Sequence, residues 1–289
     1  MPLLSPHLAF APGDDPTSSL PPRGSHLVVS DTLTAPSHFA VLHLVLAAVS
    51  SKVPVIWVDL RLEGRASWDA IARRLGTPLP SSPSAFVHIQ PTPLPSPPGS
   101  TPPSLNAASA PALYDPNPTL RPTFDAIATA MAALKLDNGN ANLGPGPGPT
   151  APALVLLDGL SELAHMGFSV SEITQFVRAV LASSSAAVVS TLHADHLPRT
   201  AAAAASTGAQ ETDADAAALL AGMLRLAGCW WRVSGLASGR SGDVSGEISV
   251  HPLGAAPAGV AVPRSAALQY RLEAAGVKMF AKGTGRGFL

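Results

Sequence analysis

Five short apolar runs dominate the pattern of hydrophobic and polar positions along the chain. They occupy residues 26–30, 53–60, 86–90, 153–157 and 186–192, and each predicts a β-strand. The runs at 153–157 and 186–192 are apolar on both faces, which is typical of parallel sheets that helices cover on both sides. The pattern therefore favours a mostly parallel α/β sheet over a half-exposed antiparallel one.

Helical spacing of apolar residues separates these runs. We expect helices at 39–50, 68–75, 119–136, 171–183 and 213–226, with Gly76 ending the second and residues 169–171 capping the fourth. After residue 228 the pattern changes to short runs between glycines, at 229–234, 247–251, 268–273 and 277–281. This order predicts a single doubly wound α/β domain over residues 1–289, with antiparallel strands at its C-terminal edge.

Three segments rich in Pro, Ser, Gly or Ala show no apolar face. Residues 91–118, 137–152 and 196–212 are therefore predicted to be disordered insertions, and 193–212 as a whole is predicted to be a loop. Residues 1–25 contain six prolines and are expected to form an irregular arm that lies on the domain.

Composition limits the function further. Only 13% of the 289 residues are charged, about half the usual share. Either partners cover much of the surface or the composition has drifted towards alanine, and both explanations remain open. The net charge of −1 gives no global basic field that would attract nucleic acid, so any such contact must be local.

The single cysteine, Cys229, excludes an intrachain disulfide and fits a reducing compartment. Its neighbours Trp230 and Trp231 favour a buried, unreactive thiol. Consecutive tryptophans on a strand point to opposite faces, which predicts one in the core and the other at a partner contact. No signal-peptide pattern begins the chain and the apolar stretch 39–49 is too short to span a bilayer, so we expect a soluble intracellular protein.

Asp158 is the most informative acid, because it directly follows an apolar run. In a nucleotide-hydrolysing domain, an acid at the carboxyl end of a parallel strand holds the water shell of a magnesium ion. Such a domain also needs a phosphate-binding loop, G-x-x-x-x-G-K-[ST], after its first strand. Asp158 can have this role only if the chain contains such a loop.

The turn at residues 31–38 has the length of that loop but none of its chemistry. Asp31 places a carboxylate at the first glycine position, where it would repel a phosphate. Pro36 removes a backbone N–H donor, Ser37 stands at the lysine position, and His38 stands at the hydroxyl position. These positions predict a non-binding relative of a nucleotide-hydrolysing fold, with no cofactor and no metal.

Other candidate sites are weaker. Without a phosphate loop, Asp59 and Asp158 are expected to cap the turns that follow them by accepting backbone N–H groups. The segment HADH at 193–196 could suggest zinc ligands, but no HExxH pattern supports it and a solvated loop is favoured. Ser161 lacks the flanking glycines of a nucleophile elbow.

With these residues in place, the chain resembles the Elongator complex protein 6 family. The likeness rests on the degenerate loop, on LVLLDGLSELAHMGFS at 154–169 and on LQYRLEAAGVKMFAKG at 268–283. It covers the chain apart from the Pro/Ser and Gly/Pro insertions, and it implies a RecA-like domain without working nucleotide motifs, not an enzyme. The sibling Elongator subunit 5 is an alternative, although the acidic tail more typical of that subunit is absent.

The resemblance implies a subunit of a hetero-hexameric ring with Elongator subunits 4 and 5, in the cytoplasm and nucleus. Such a ring docks on the catalytic part of Elongator and handles tRNA during wobble-uridine modification. By this likeness, residues 159–170 and 193–212 face the central hole of the ring. Arg199, the only arginine or lysine in the second segment, is then the candidate tRNA contact, against the alternative of an ordinary solvated arginine.

Three C-terminal arginines, Arg232, Arg240 and Arg264, are secondary candidates on charge alone. Two other functions remain open from the sequence. One is a divergent RecA-like ATPase, and the other is a regulatory scaffold unrelated to tRNA.

Overall fold

One sheet organises the structure. In a computed structural model of the chain, the described residues are 4, 8, 10, 19–91, 119–138, 153–195, 211–236, 244–254, 267–273 and 276–282. Within them, nine strands form this sheet: β1 (His26–Asp31), β2 (Val55–Asp59), β3 (Phe86–Ile89), β4 (Leu154–Asp158), β5 (Ala187–His193), β6 (Cys229–Ser234), β7 (Gly246–Pro252), β8 (Leu268–Glu273) and β9 (Gly276–Ala281). The order across the sheet is β3-β2-β4-β5-β1-β6-β7-β8-β9.

Strand direction divides the sheet into two parts. β3, β2, β4, β5, β1 and β6 pair in parallel, whereas β6, β7, β8 and β9 pair antiparallel. Every residue of β1, β2 and β4 is buried, as expected for strands covered on both faces. The predicted fold class, a mostly parallel doubly wound α/β sheet with an antiparallel C-terminal edge, is confirmed.

Six helices accompany the sheet in the described part of the chain: α1 (His38–Ser50), α2 (Arg65–Arg74), α3 (Arg121–Asn138), α4 (Leu160–His165), α5 (Val170–Ser183) and α6 (Glu211–Leu226). None of them combines the length and the apolar character needed to cross a membrane.

The sequence pattern did not predict α4. The prediction of loop or disorder was also wrong at 137–138 and 211–212, which belong to α3 and α6, while residues 92–118, 139–152 and 196–210 lie outside the described residues.

The start of α5 agrees with the predicted cap. Ser169 accepts a hydrogen bond from the backbone N–H of Glu172 through Oγ, and the Glu172 carboxylate accepts one from the backbone N–H of Ser169. This reciprocal capping box satisfies two N–H groups that would otherwise lack partners at the helix start. It fixes the residue at which α5 begins.

Two apolar cores lie on opposite faces of the sheet. The first includes α1 and α2, and the second includes α3, α4, α5 and α6. Trp231 is buried in the first core, whereas Trp230 packs against the second and donates its indole N–H to Ser30 Oγ. The two indoles therefore face opposite sides as predicted, and the partner contact expected for one of them stays a prediction.

Cys229 is buried, and this burial raises the pKa of its thiol to about 12.

The N-terminal arm contributes to the first core at the described positions Leu4, Leu8 and Phe10, all of which are buried. The Phe10 ring stacks on Trp231 with 5.6 Å between the ring centroids. The backbone N–H of Leu4 donates to Nδ1 of His43 over 3.2 Å. Residues 39–48 of α1 are consequently buried all round, which the spacing of its apolar residues did not indicate.

Candidate functional site

The carboxyl ends of four parallel strands meet at one edge of the sheet. The strand register places Asp31 of β1 opposite His193 of β5, and Asp59 of β2 opposite Asp158 of β4. In doubly wound sheets this edge is the usual position of ligand sites. The sequence correctly placed Asp59 and Asp158 at strand ends. It assigned Asp31 and His193 to the turn and the loop after β1 and β5, whereas each is the last residue of its strand.

Asp31 closes its own turn. Its Oδ2 accepts hydrogen bonds from the backbone N–H and the hydroxyl of Ser37, both at 2.8 Å, and its Oδ1 lies 2.6 Å from Nδ1 of His193. Ser37 directly precedes α1, so the carboxylate occupies the positive end of a helix where an anion would otherwise bind. Pro36 is half-buried in the same turn.

Arg61, which follows β2, fills the space between these strand ends. Its Nε donates to Asp158 Oδ1 over 3.2 Å, and one terminal nitrogen donates to Asp31 Oδ2 over 3.4 Å. The other terminal nitrogen lies 3.4 Å from Nε2 of His193. Only 9% of the arginine side chain is exposed. One guanidinium therefore bridges the two acids at the ends of β1 and β4.

Gly159 makes room for this arginine. Its φ of +98° lies in the left-handed region, and an added Cβ would stand 2.5 Å from Cγ of Arg61. Its backbone N–H donates to Oγ1 of Thr191 over 2.7 Å, and the Thr191 hydroxyl donates to Asp158 Oδ1 over 2.8 Å. Asp158, the last residue of β4, thus supplies the carboxylate, and Gly159 after it leaves the space that Arg61 occupies.

The two capping predictions had different outcomes. Asp59 accepts hydrogen bonds from the backbone N–H groups of Glu63 and Gly64, so its predicted capping role is confirmed. The same prediction for Asp158 was wrong, because its Oδ1 accepts from Arg61 and Thr191 side chains instead of backbone amides. Its buried Oδ2 has no hydrogen-bond partner within the described structure.

Burial and charge act against each other in this cluster. Burial raises the pKa of Asp31, but hydrogen bonding to His193 and the charges of Arg61 and His193 outweigh it and leave that pKa lowered. Burial dominates at Asp158 and raises its pKa, with Arg61 and Thr191 offsetting only part of the shift. The hydrogen bond to Asp31 raises the pKa of His193. Burial opposes the charged form of Arg61, yet Asp158 and Asp31 keep its pKa raised.

Residues 193–195 do not form the solvated loop that the sequence favoured. His193 is the last residue of β5, the N–H of Ala194 donates to the carbonyl of Asp31, and both carboxylate oxygens of Asp195 accept from the N–H of Leu33 at 3.1 Å. These contacts hold residues 193–195 against the turn after β1, because the ends of β1 and β5 are neighbours in the sheet. Among the described residues, no group of three or more His, Cys, Asp or Glu side chains could hold a metal ion.

The remaining candidates make other contacts. His38 pairs through Nε2 with Glu63 at 2.9 Å, and Ser161 Oγ accepts the backbone N–H of His193. Arg232 lies over the ring of Trp230, with 6.0 Å between its guanidinium carbon and the ring centroid. Arg199, Arg240 and Arg264 lie outside the described residues.

Sequence reasoning missed Arg61, whose guanidinium contacts Asp31, Asp158 and His193. A usable signal was present, because Arg61 follows an acid-terminated buried strand by only two positions, in VDLR. A charged side chain so close to a buried strand end needs a partner of opposite charge. The acids at the ends of β1 and β4 supply it.

A family model establishes the family of the chain. The family model described as Elongation complex protein 6 matches residues 15–274. This chain belongs to the Elongation complex protein 6 family. Membership in that family makes it a subunit of the Elongator complex and sets aside the alternative of subunit 5. No curated protein matches the chain in a direct sequence search.

A solved structure supports the fold. The chain is similar to a KaiC-like protein from the hyperthermophilic archaeon Pyrococcus horikoshii OT3, with a TM-score of 0.55 and 8% identity. The match covers 94% of this chain and 97% of the archaeal one. At this identity the likeness shows the fold alone. The Elongation complex protein 6 family member described here therefore has a RecA-like fold.

Proposed function

We propose that this chain is a non-catalytic subunit of Elongator that assembles with subunits 4 and 5 into a hetero-hexameric RecA-like ring. Family membership supports its place in Elongator. One observation carries the non-catalytic assignment, namely the guanidinium of Arg61 between Asp31 and Asp158. This internal cation occupies the edge of the sheet where a RecA-like enzyme would need room for a nucleotide.

ATP would have to displace two groups to bind at this edge. The carboxylate of Asp31 already accepts the Ser37 donors at the start of α1, and at about 4 Å a second anion repels it by several kcal/mol. Displacing Arg61 would leave the buried carboxylate of Asp158 without a counter-ion and Asp31 with His193 alone, which costs about 3–5 kcal/mol. Both costs oppose nucleotide binding.

The ring, in this proposal, supports tRNA binding and wobble-uridine modification in the cytoplasm and nucleus. The net charge of −1 supports a local contact over a broad basic surface. Arg199 remains our candidate for that contact. The tRNA-binding site would then be formed together with the sibling subunits, not by this chain alone.

Co-assembly tests the proposal directly. We expect the purified full-length chain, mixed with subunits 4 and 5, to form a particle with the mass of a hexamer by light scattering. We expect the particle to bind tRNA with an affinity that falls as salt rises. Arg199→Ala should reduce the slope of that salt dependence, whereas Arg178→Ala, an exposed arginine on α5, should not. A chain that stays monomeric beside both siblings would contradict the proposal.

Nucleotide binding tests the rival function. We expect the isolated chain to show no saturable binding of labelled ATP with magnesium at micromolar concentrations. Micromolar binding that Asp158→Asn abolishes, with the variant still folded by circular dichroism, would instead support a divergent ATPase. A ring that assembles but never binds tRNA would favour a regulatory scaffold.

A further inference from the structure

Leu33 is an exposed apolar side chain held in a fixed position. Its side chain lies in the β1–α1 turn, and the residue is 79% exposed. Thr32 and Ala35 exchange backbone hydrogen bonds across the turn, and Asp195 accepts the N–H of Leu33 with both carboxylate oxygens. An apolar side chain on a rigid turn loses little conformational entropy when a partner buries it. Leu33 therefore has the properties of an interface anchor.

Leu62 repeats this arrangement in the β2–α2 turn. The residue is 38% exposed and adopts a positive φ of 58°, which is unusual for a branched side chain. The carboxylate of Asp59 holds the turn by accepting the N–H groups of Glu63 and Gly64. Leu33 and Leu62 thus lie in rigid turns at the same sheet edge, in the two segments that Arg61 links through Asp31.

The charges around these leucines indicate the chemistry of a partner. The described turns at this edge expose the carboxylates of Asp195 and Glu63, and Glu162 is half-buried beside them. Arg61 offsets them only in part, because its guanidinium pairs directly with Asp31 and Asp158. Histidines also contact two of the three acids: His38 pairs with Glu63, and His165 and His193 contact Glu162. The edge is therefore acidic, which opposes contact with an RNA backbone and favours a protein surface that carries Lys or Arg.

We propose that this edge surface, defined by Leu33, Leu62, Glu63, Glu162 and Asp195, docks a neighbouring ring subunit. The partner surface offers an apolar socket for Leu33, bordered by basic side chains. This inference rests on the proposed function, because it requires the ring. It assigns the edge that would hold a nucleotide in an enzyme to subunit contact.

Alanine variants of two exposed leucines test the anchor. In titrations of the full-length chain with subunits 4 and 5, Leu33→Ala should weaken assembly about 10–30-fold, as expected for a hot-spot residue. The matched control is Leu272→Ala, because Leu272 is 46% exposed on β8 and is not one of the residues that define this surface. It should change the affinity less than about threefold. Both variants should keep the melting temperature of the parent chain, since neither side chain is in a core.

Charge variants test the acidic rim. Assembly should weaken as sodium chloride rises from about 0.1 to 0.5 M, and Glu63→Gln with Glu162→Gln should reduce that dependence. If the parent chain does not assemble with its siblings, the proposed function fails. If it assembles and Leu33→Ala behaves like Leu272→Ala, only this inference fails. Loss of tRNA binding by Leu33→Ala with unchanged assembly would likewise overturn it, because the edge would then be an RNA contact.

Discussion

The Nε of Arg61 donates to Oδ1 of Asp158 over 3.2 Å, which joins the turn after β2 to the end of β4. The same guanidinium reaches Asp31 at the end of β1, so a single side chain compensates two buried carboxylates. Buried acids of this kind are costly without a counter-ion, and the arrangement supplies one from within the chain. The stability of this edge should therefore depend on Arg61.

We expect Arg61→Ala to destabilise the protein by about 3–5 kcal/mol, because it leaves the buried Asp158 without a cation and Asp31 with His193 alone. Urea unfolding monitored by circular dichroism would measure this loss. The matched control is Arg73→Ala on α2, where the arginine is 70% exposed and pairs with Asp69. Removing that surface pair should cost about 0–1 kcal/mol. Equal losses in the two variants would show that the Arg61 bridge has no special role.

Replacing Gly159 should perturb Arg61 indirectly. In Gly159→Ala the new Cβ would stand 2.5 Å from Arg61 Cγ, and the residue would keep a left-handed φ. We expect a larger loss of stability than in Gly167→Ala, where φ is also positive (+95°) but no heavy atom lies within 4 Å of the new Cβ. The control should lose about 1 kcal/mol from backbone strain alone. Matching thermal unfolding curves would contradict the steric role of Gly159.

His43 should make the fold sensitive to acid. Its burial lowers the pKa from the usual 6.5 to about 3, so the unfolded chain binds this proton before the native chain does. Stability is therefore highest above pH 6.5 and falls as the pH drops from there towards 3, with a loss of about 2 kcal/mol at pH 5 from this group.

The variant His43→Gln should flatten the dependence of unfolding free energy on pH between 7 and 4. Some dependence should remain, because burial also lowers the pKa of His26, to about 4. Urea titrations at several pH values would measure both slopes. An unchanged slope in the variant would exclude His43 as the source.

Titration of His193 should have the opposite effect to that of His43: it should lower the stability of the protein as the pH rises. Its pKa is raised, chiefly by the hydrogen bond to Asp31, so the native state holds the proton more tightly than the unfolded chain. The stability from this group is fully present below pH 6.5 and is lost as the pH rises through the raised pKa. His193→Gln should remove that loss, whereas His165→Gln, with a side chain 69% exposed, should not. Chemical unfolding between about pH 6 and 9 would distinguish the two variants.

The apolar pattern was sufficient for the parallel half of the fold. Runs such as VIWVD in β2 and LVLLD in β4 are uninterrupted because helices cover both faces of those strands. The short helix α4 escaped prediction, since its six residues are too few to show a helical period. The burial of α1 on all sides likewise depends on the arm at Leu4, Leu8 and Phe10.

The sequence by itself determined that acids stand at the ends of β1, β2 and β4, and that the turn after β1 lacks a glycine-rich phosphate loop. Only the tertiary structure decided what these acids contact. Asp31 and Arg61 are 30 positions apart, and Asp158 lies 97 positions beyond Arg61. The sheet order places β4, β5 and β1 side by side, and hydrophobic burial of those strands, not any local preference, brings the three charges together.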